Sequence, residues 1–352
     1  MSLLRAHGGP VARGVLRTTP EDFRVIEELG FEPDGEGEHL WLLVRKREWN
    51  TTDLALALAK LSKLPLRAVG YSGLKDRVAV TDQWFSLHLP GKADPDLGAL
   101  PEGVTLLRAV RHRRKLNRGT HRFNHFELYL RHLEGDTALL RERLEAVARD
   151  GVPNYFGEQR FGRGGDNFSR ASAWLLGQGE APRKPALKSL WLSAVRSELF
   201  NQVLARRVQE HCWQRALPGD LLQPEGSRGL FPADEDPAAA ERVIRGEVHP
   251  TAPMPGAGGM ASSGACAALE QAVLAPHAAL IEALAAHGVE AARRATRLPV
   301  HDLAADIQAD GLHLRMTLPA GSFATTVLAE LIDTVRPDHS AGEQDRGERS
   351  GG

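Results

Sequence analysis

Only two cysteines, Cys212 and Cys266, occur in the 352 residues, and they lie far apart in the chain. A disulfide framework and a thiolate zinc site are both excluded as expectations. Long apolar runs are also missing: the alanine-rich stretches are broken by charge well short of the ~18 residues a membrane span requires, so no membrane association is expected. The opening MSLLRAHGGPVARG has too short an apolar run for a secretory signal, and a cytoplasmic location is the expectation. Neither G-x-G-x-x-G nor G-x-x-x-x-G-K-[ST] occurs, so nothing calls for a dinucleotide or a nucleotide cofactor. His121 and His125 have helical i, i+4 spacing but fall at the entrance of a strand among arginines, where a dication is unfavourable; no metal is expected.

What is present describes a globular protein, 42% hydrophobic and 25% charged, with length enough for two domains. The net charge of −1 conceals a segregated distribution. Seven arginines or lysines and no acid lie between Gly103 and Phe126, from Arg108 through Arg113, Arg114 and Lys115 to Arg122. Acid is concentrated in EPDGEGE (Glu32–Glu38) and PADEDPAAAE (Pro232–Glu241), which read as solubilising patches. A basic strip on a near-neutral chain suggests a polyanionic partner; a solvated basic loop is the plainer alternative.

The pattern changes along the chain. Asn50–Leu64 reads as a helix, capped by Asn50, with Leu54, Leu58 and Leu61 on one face. Phe85, Leu87 and Leu89, then Asn124–Leu130, then Leu312–Leu318 alternate as half-buried strands. Thr137–Asp150 reads as a helix closed by Gly151, and Ala324, Leu328, Leu331 and Val335 read as the face of another. Between these, a Gly-rich aromatic loop (NYFGEQRFGRGGDN, Asn154–Asn167), a helix at about 193–212 and Pro/Gly-rich segments mark an insertion. The expected organisation is a discontinuous domain of residues 1–151 and 300–336, an inserted domain at 152–299, and a polar, disordered tail at 337–352.

Asp76, in GYSGLKDRVAVTDQWFS (Gly70–Ser86), is the candidate for chemistry. An ordinary aspartate titrates near ~3.9; a dry pocket favours its neutral form, and an adjacent cation its charged form. Lys75, Arg77 or Arg17 are the cations available, and the alternative is a surface turn whose charges satisfy one another. Asn124 and Phe126 leave the same face of one strand, an amide beside an aromatic that suits a nucleobase, although by pattern alone core packing is the better reading of Phe126, with Asn124 merely starting the strand. Phe23 and Phe323 each sit beside turn residues and either cover a pocket or pack in the core. Arg160 and Arg163 stand among glycines that let backbone N–H groups approach phosphate.

Together GLKDRVAVTDQW, NYFGEQRFGRGGDN and LPAGSFATT resemble the TruD family of tRNA pseudouridine synthases, in the family's order and from about Gly14 to Val335. Ser72 departs from it, alanine being commoner there. The resemblance implies an α+β fold: a mixed, largely antiparallel catalytic sheet with flanking helices, interrupted by an α/β insertion. It further implies an isomerase that converts uridine-13 of tRNA to pseudouridine without a cofactor. Asp76 falls on the family's catalytic position, Arg17 on a basic position near it, and Phe23, Asn124, Phe126 and Phe323 on its uridine pocket. tRNA is the expected partner and a monomer the expected state. Three roles for the carboxylate stay open: attack at C1′, addition at C6, or removal of the 2′ proton. Two other readings use the same residues. An RNA-binding protein without catalysis needs only the charge and aromatics, and a carboxylate hydrolase calls for a second, partnered carboxylate.

Overall fold

The computed structural model describes residues 3–335 and Pro337, so nearly all of the expected tail lies outside the described residues. The chain forms two compact units, one of residues 10–144, 300–321 and 331–335, the other of residues 3–9, 145–299 and 322–330. The expected insertion, 152–299, falls within the second unit, which also takes in 3–9, 145–151 and 322–330.

The first unit is built on a ten-stranded sheet. Its main path runs His301–Ile307, Gly311–Pro319, Phe123–Gly135, Phe23–Glu28, Val80–His88, His39–Arg47, Val104–His112. Only two pairings are parallel: Phe23–Glu28 with Val80–His88, and Ala12–Leu16 with Ile332–Val335. The sheet is therefore mixed and largely antiparallel. Phe123–Gly135 buries Asn124, Phe126, Leu128 and Leu130 on one face, as strict alternation dictates. Val80–His88 is covered on both faces, so seven consecutive residues are buried. Phe85 and Leu87 pack with Leu40, Leu42 and Val44 under helix Thr51–Leu61, while Trp84 packs with Trp41 and Leu116.

Two expected elements come out differently. The helix face read through Val335 stops at Leu331, and Ile332–Val335 is a strand in register with Ala12–Val15. The pairing partner lies over three hundred residues upstream, so no local signal reveals it. Asn50 is the N-cap of Thr51–Leu61 by position, but its side chain makes no capping bond; the amide donates to Asp53 Oδ2 at 2.9 Å instead.

The second unit packs around helix Pro185–Gln209, which begins about eight residues before the sequence pattern places it, with Pro185 in its first turn. Trp191, Val195, Leu199, Phe200 and Val203 meet Tyr155, Phe156 and Trp213 in one core. Its four-stranded sheet, in the order Phe231–Pro232, Leu221–Pro224, Val248–Met254, Ala292–Ala295, is antiparallel throughout. One stretch among the described residues, Gly264–Ala286, is long and apolar enough to cross a membrane by length and composition. It consists of two helices around a turn at Ala275–His277, and its Glu270 is buried against Arg293.

Candidate functional site

The loop carrying Asp76 leaves the short strand Val69–Tyr71, which pairs with Val80–His88. Gly70 admits no side chain: a Cβ would stand 2.3 Å from the Leu116 carbonyl oxygen and 2.5 Å from Ser86 Oγ. After it, the loop is pinned at Ser72, Gly73, Lys75 and Asp76. Ser72 Oγ accepts the His121 backbone N–H at 2.9 Å and bonds His121 Nδ1 at 2.5 Å. Gln83 Nε2 donates to the Gly73 carbonyl at 2.7 Å. The Lys75 N–H donates to Thr51 Oγ1 at 2.9 Å, and that hydroxyl donates to Gln83 Oε1 at 3.0 Å. Lys46 Nζ donates to the Asp76 carbonyl at 3.3 Å and to the Trp49 carbonyl at 2.6 Å. A loop so held does not pay ordering entropy when a substrate arrives.

Of the three cations near Asp76, the structure pairs one with it. Lys75 turns inward to Glu27 Oε1 at 2.5 Å, and Glu27 Oε2 accepts the Trp84 N–H at 2.9 Å. Arg77 is exposed. Arg17 Nη2 donates to Asp76 Oδ2 at 2.5 Å. Arg17 follows strand Ala12–Leu16 with φ 67°, a left-handed conformation that costs a non-glycine residue roughly 1–3 kcal/mol. Its guanidinium lies 3.9 Å from the centroid of the Phe23 ring. Stacking of this kind contributes about 0.5–2 kcal/mol, enough to offset much of that strain. Phe23 meets Phe126 edge to face, with centroids 6.1 Å apart. Asp76, Arg17, Phe23 and Phe126 thus form one continuous file.

Burial along that file is graded. Phe23 and Phe126 are buried, the Arg17 side chain is 12% exposed, and that of Asp76 is 45% exposed. The carboxylate is not enclosed in the dry pocket expected around it. Nor is Phe126 an open stacking platform, because Phe23 and the strand neighbours cover it. Asn124 is buried beside it, with its side chain against the His121 ring. Phe323 is 44% exposed and belongs to the second unit, at the entry of helix Ala324–Leu331.

The basic strip is not a free cationic face. Arg108 pairs with Glu32 at 2.7 Å, Arg113 pairs with Glu36, and His112 with Asp34 at 2.9 Å. Arg111 pairs with Asp94 at 2.5 Å, and Lys115 Nζ donates to the Arg67 carbonyl at 2.7 Å. The acidic patch EPDGEGE, read from sequence as solubilising, therefore neutralises part of the strip from within the same unit. Arg114 and Arg118 are exposed. In the second unit Arg160 Nη1 donates to Ser193 Oγ at 3.2 Å; the Arg163 side chain lies outside the described residues. His121 and His125 take separate partners, Ser72 and Glu28, and among the described residues no three His, Cys, Asp or Glu gather as metal ligands.

Glu27, Lys46, Thr51 and Gln83 were not singled out from sequence. Two of them carried a signal: Glu27 follows Phe23 and Val25 on the inward phase of its strand, and Lys46 follows Leu42 and Val44. A charge in phase with a buried stripe has to be held by something.

The family model for tRNA pseudouridine synthase D (TruD) matches residues 4–176 and 182–331. The tRNA pseudouridine synthase D of Pseudomonas putida (strain W619) is 47% identical over 333 residues, covering 94% of each chain. That of Azotobacter vinelandii (strain DJ / ATCC BAA-1303) is 48% identical over 331 residues, again covering 94% of each. A solved structure named for tRNA pseudouridine synthase D of Methanosarcina mazei superposes with a TM-score of 0.74 over 93% of this chain and 95% of that one. At 22% identity that likeness speaks for the fold alone. The motifs, the sheet and these similarities converge: the chain belongs to the tRNA pseudouridine synthase D family.

Proposed function

We propose that the protein isomerises uridine-13 of tRNA to pseudouridine, with the Asp76 carboxylate acting on an everted uridine. The supporting observation is the Arg17–Asp76 pair at the exposed end of a file of buried aromatics. It holds Asp76 Oδ2 and leaves Oδ1 without a hydrogen bond among the described residues. A carboxylate oriented through one oxygen presents the other as nucleophile or base. The loop bonds from Lys46, Thr51 and Gln83 fix the backbone behind it.

The reaction breaks N1–C1′, turns the base and forms C5–C1′; C5 loses a proton and N1 gains one. Atoms and electrons balance without oxidant, reductant or added group, so side chains suffice. Eversion costs a few kcal/mol of lost stacking. Phe23, Asn124 and Phe126 are assigned to the uridine pocket. The base itself supplies the dryness that Asp76 lacks, by covering its exposed side.

The test is an unmodified tRNA transcript incubated with the protein alone, followed by chemical mapping of pseudouridine. Wild type is expected to modify position 13. Asp76→Asn is expected to lose at least about 10³ in rate while binding tRNA within about threefold of wild type. No product from wild type, or near wild-type product from the variant, overturns the proposal.

A further inference from the structure

Three arginines of the second unit differ from the others whose ionisation the fold perturbs. Arg45, Arg113, Arg131, Arg149, Arg242 and Arg245 are each raised by a carboxylate partner. Arg297 is lowered by burial, with Asp150 and Glu225 opposing. Arg160 and Arg196 are lowered by burial with no acid opposing it. Arg294 is pushed down to about 10 by burial and then by the charge of Arg160. Arg160 and Arg294 both lie over the Phe156 ring, 5.2 and 4.3 Å from its centroid. Arg160 and Arg294 repel one another and meet no acid, a cost that a nearby anion relieves.

A groove of about 490 Å³ opens beside this cluster, between helix Pro185–Gln209 and the turn at 287–289. Lys188, Ser189, Ser193, Arg196 and His287 line it, and no carboxylate does. Arg196 is immobilised by the carbonyls of Met254, Pro255 and Glu290, at 3.2, 3.1 and 2.9 Å. Ser193 Oγ accepts from Arg160 at 3.2 Å, which leaves its own hydroxyl hydrogen to donate into the groove. Lys188 and Arg196 lie on one i, i+4, i+8 row of the helix, about 12 Å apart along its axis with Ser193 between them, so the two cations face the groove from its two ends.

We propose that this groove holds a phosphodiester of the substrate RNA, with Lys188 and Arg196 against the anion, Ser193 donating to it and Arg160 supplying charge behind Ser193. The proposal rests on the reading that RNA is the substrate, and it adds a backbone contact in the second unit. A fixed guanidinium and a hydroxyl donor suit a tetrahedral anion, and the groove is large enough for the adjoining sugar.

The experiment measures tRNA binding by the full chain against potassium chloride concentration, for wild type, Lys188→Gln and Lys188→Gln/Arg160→Gln. At about 0.7–0.9 units of log–log slope per phosphate, the double variant is expected to lose about 0.7–0.9 units, and about fivefold to tenfold in affinity near 0.1 M salt. Lys188→Gln alone, a substitution on the helix surface that threatens no folding, is expected to lose about half of that slope, and Lys188→Arg none. Arg242→Gln/Arg245→Gln, which removes two charges already paired with acids in the same unit, is expected to leave the slope unchanged. An unchanged slope in the groove variants, or an equal loss in that control, overturns the proposal. Pseudouridine mapping on wild type separates the two readings: product with an unchanged slope removes the groove alone, and a lost slope without product removes the catalytic reading alone.

Discussion

A charged amine with no exposed surface has to be held by something, and Lys46 is held by two backbone carbonyls, one of them that of Asp76. Burial is the first cause that pushes its amine down to about 8, with the Lys75 charge adding to it and Asp76 and Glu27 opposing. Because the folded value lies below the unfolded one, the unfolded chain binds more protons between about pH 8 and 10.5, and stability rises with pH across that window. The gain by pH 10 is about 2 kcal/mol. Lys46→Met removes both the titration and the prop behind the Asp76 carbonyl. Thermal unfolding from pH 7 to 10 is expected to show the rise in wild type relative to the variant, and the variant's kcat to fall by about tenfold with little change in KM. A fall in KM-type binding alone, or parallel unfolding curves, counts against the positioning role. Neutral His121 fits the same picture: burial pushes its imidazole below the ordinary range, so Nδ1 can accept from the Ser72 hydroxyl. The residue that departs from the family's commoner alanine thus ties the loop to the strand that carries Asn124 and Phe126.

At the scale of elements, alternation and helical periodicity located most strands and helices, while partners stayed out of reach. Asn124–Leu130 was legible because every second side chain is apolar; its extension to Phe123–Gly135 is paid out in pairings with three other strands. Ile332–Val335 was misread as the end of a helix because Leu328, Leu331 and Val335 also fit a helical stripe. The parallel pairing with Ala12–Val15 wins, and Ile332 is 1% exposed there. Ile332→Ala is expected to destabilise the protein by about 2–5 kcal/mol through the cavity it leaves, read as a lower urea midpoint with an unchanged m-value. A surface helix end in its place tolerates that change within about 0.5 kcal/mol.

At the scale of the whole molecule, charge segregated in sequence is partly recombined in space. Arg113 is already held by Glu36 and has to leave that carboxylate to meet a phosphate and displace its counterion, whereas exposed Arg114 and Arg118 meet one directly. Arg113→Gln is therefore expected to leave the salt slope of tRNA binding within about 0.3 units, and Arg114→Gln/Arg118→Gln to reduce it by about one to two. Equal effects from the two substitutions would show that the Glu36 pairing does not persist in solution. The pair itself is exposed on both sides and contributes little to stability.

Motifs of a dozen residues, read in order, were sufficient for the family, and it is the resemblance that singles out Asp76, because a carboxylate between cations at a glycine turn reads by itself as an ordinary surface turn. Those features are local and survive in a string of letters. The choice of Arg17 over Lys75 and Arg77, the burial of Lys46 beneath the Asp76 backbone and the neutralisation of Arg113 depended on strands distant in sequence becoming neighbours. Side-chain direction in a loop follows from what lies across from it, and only the assembled sheet decides that.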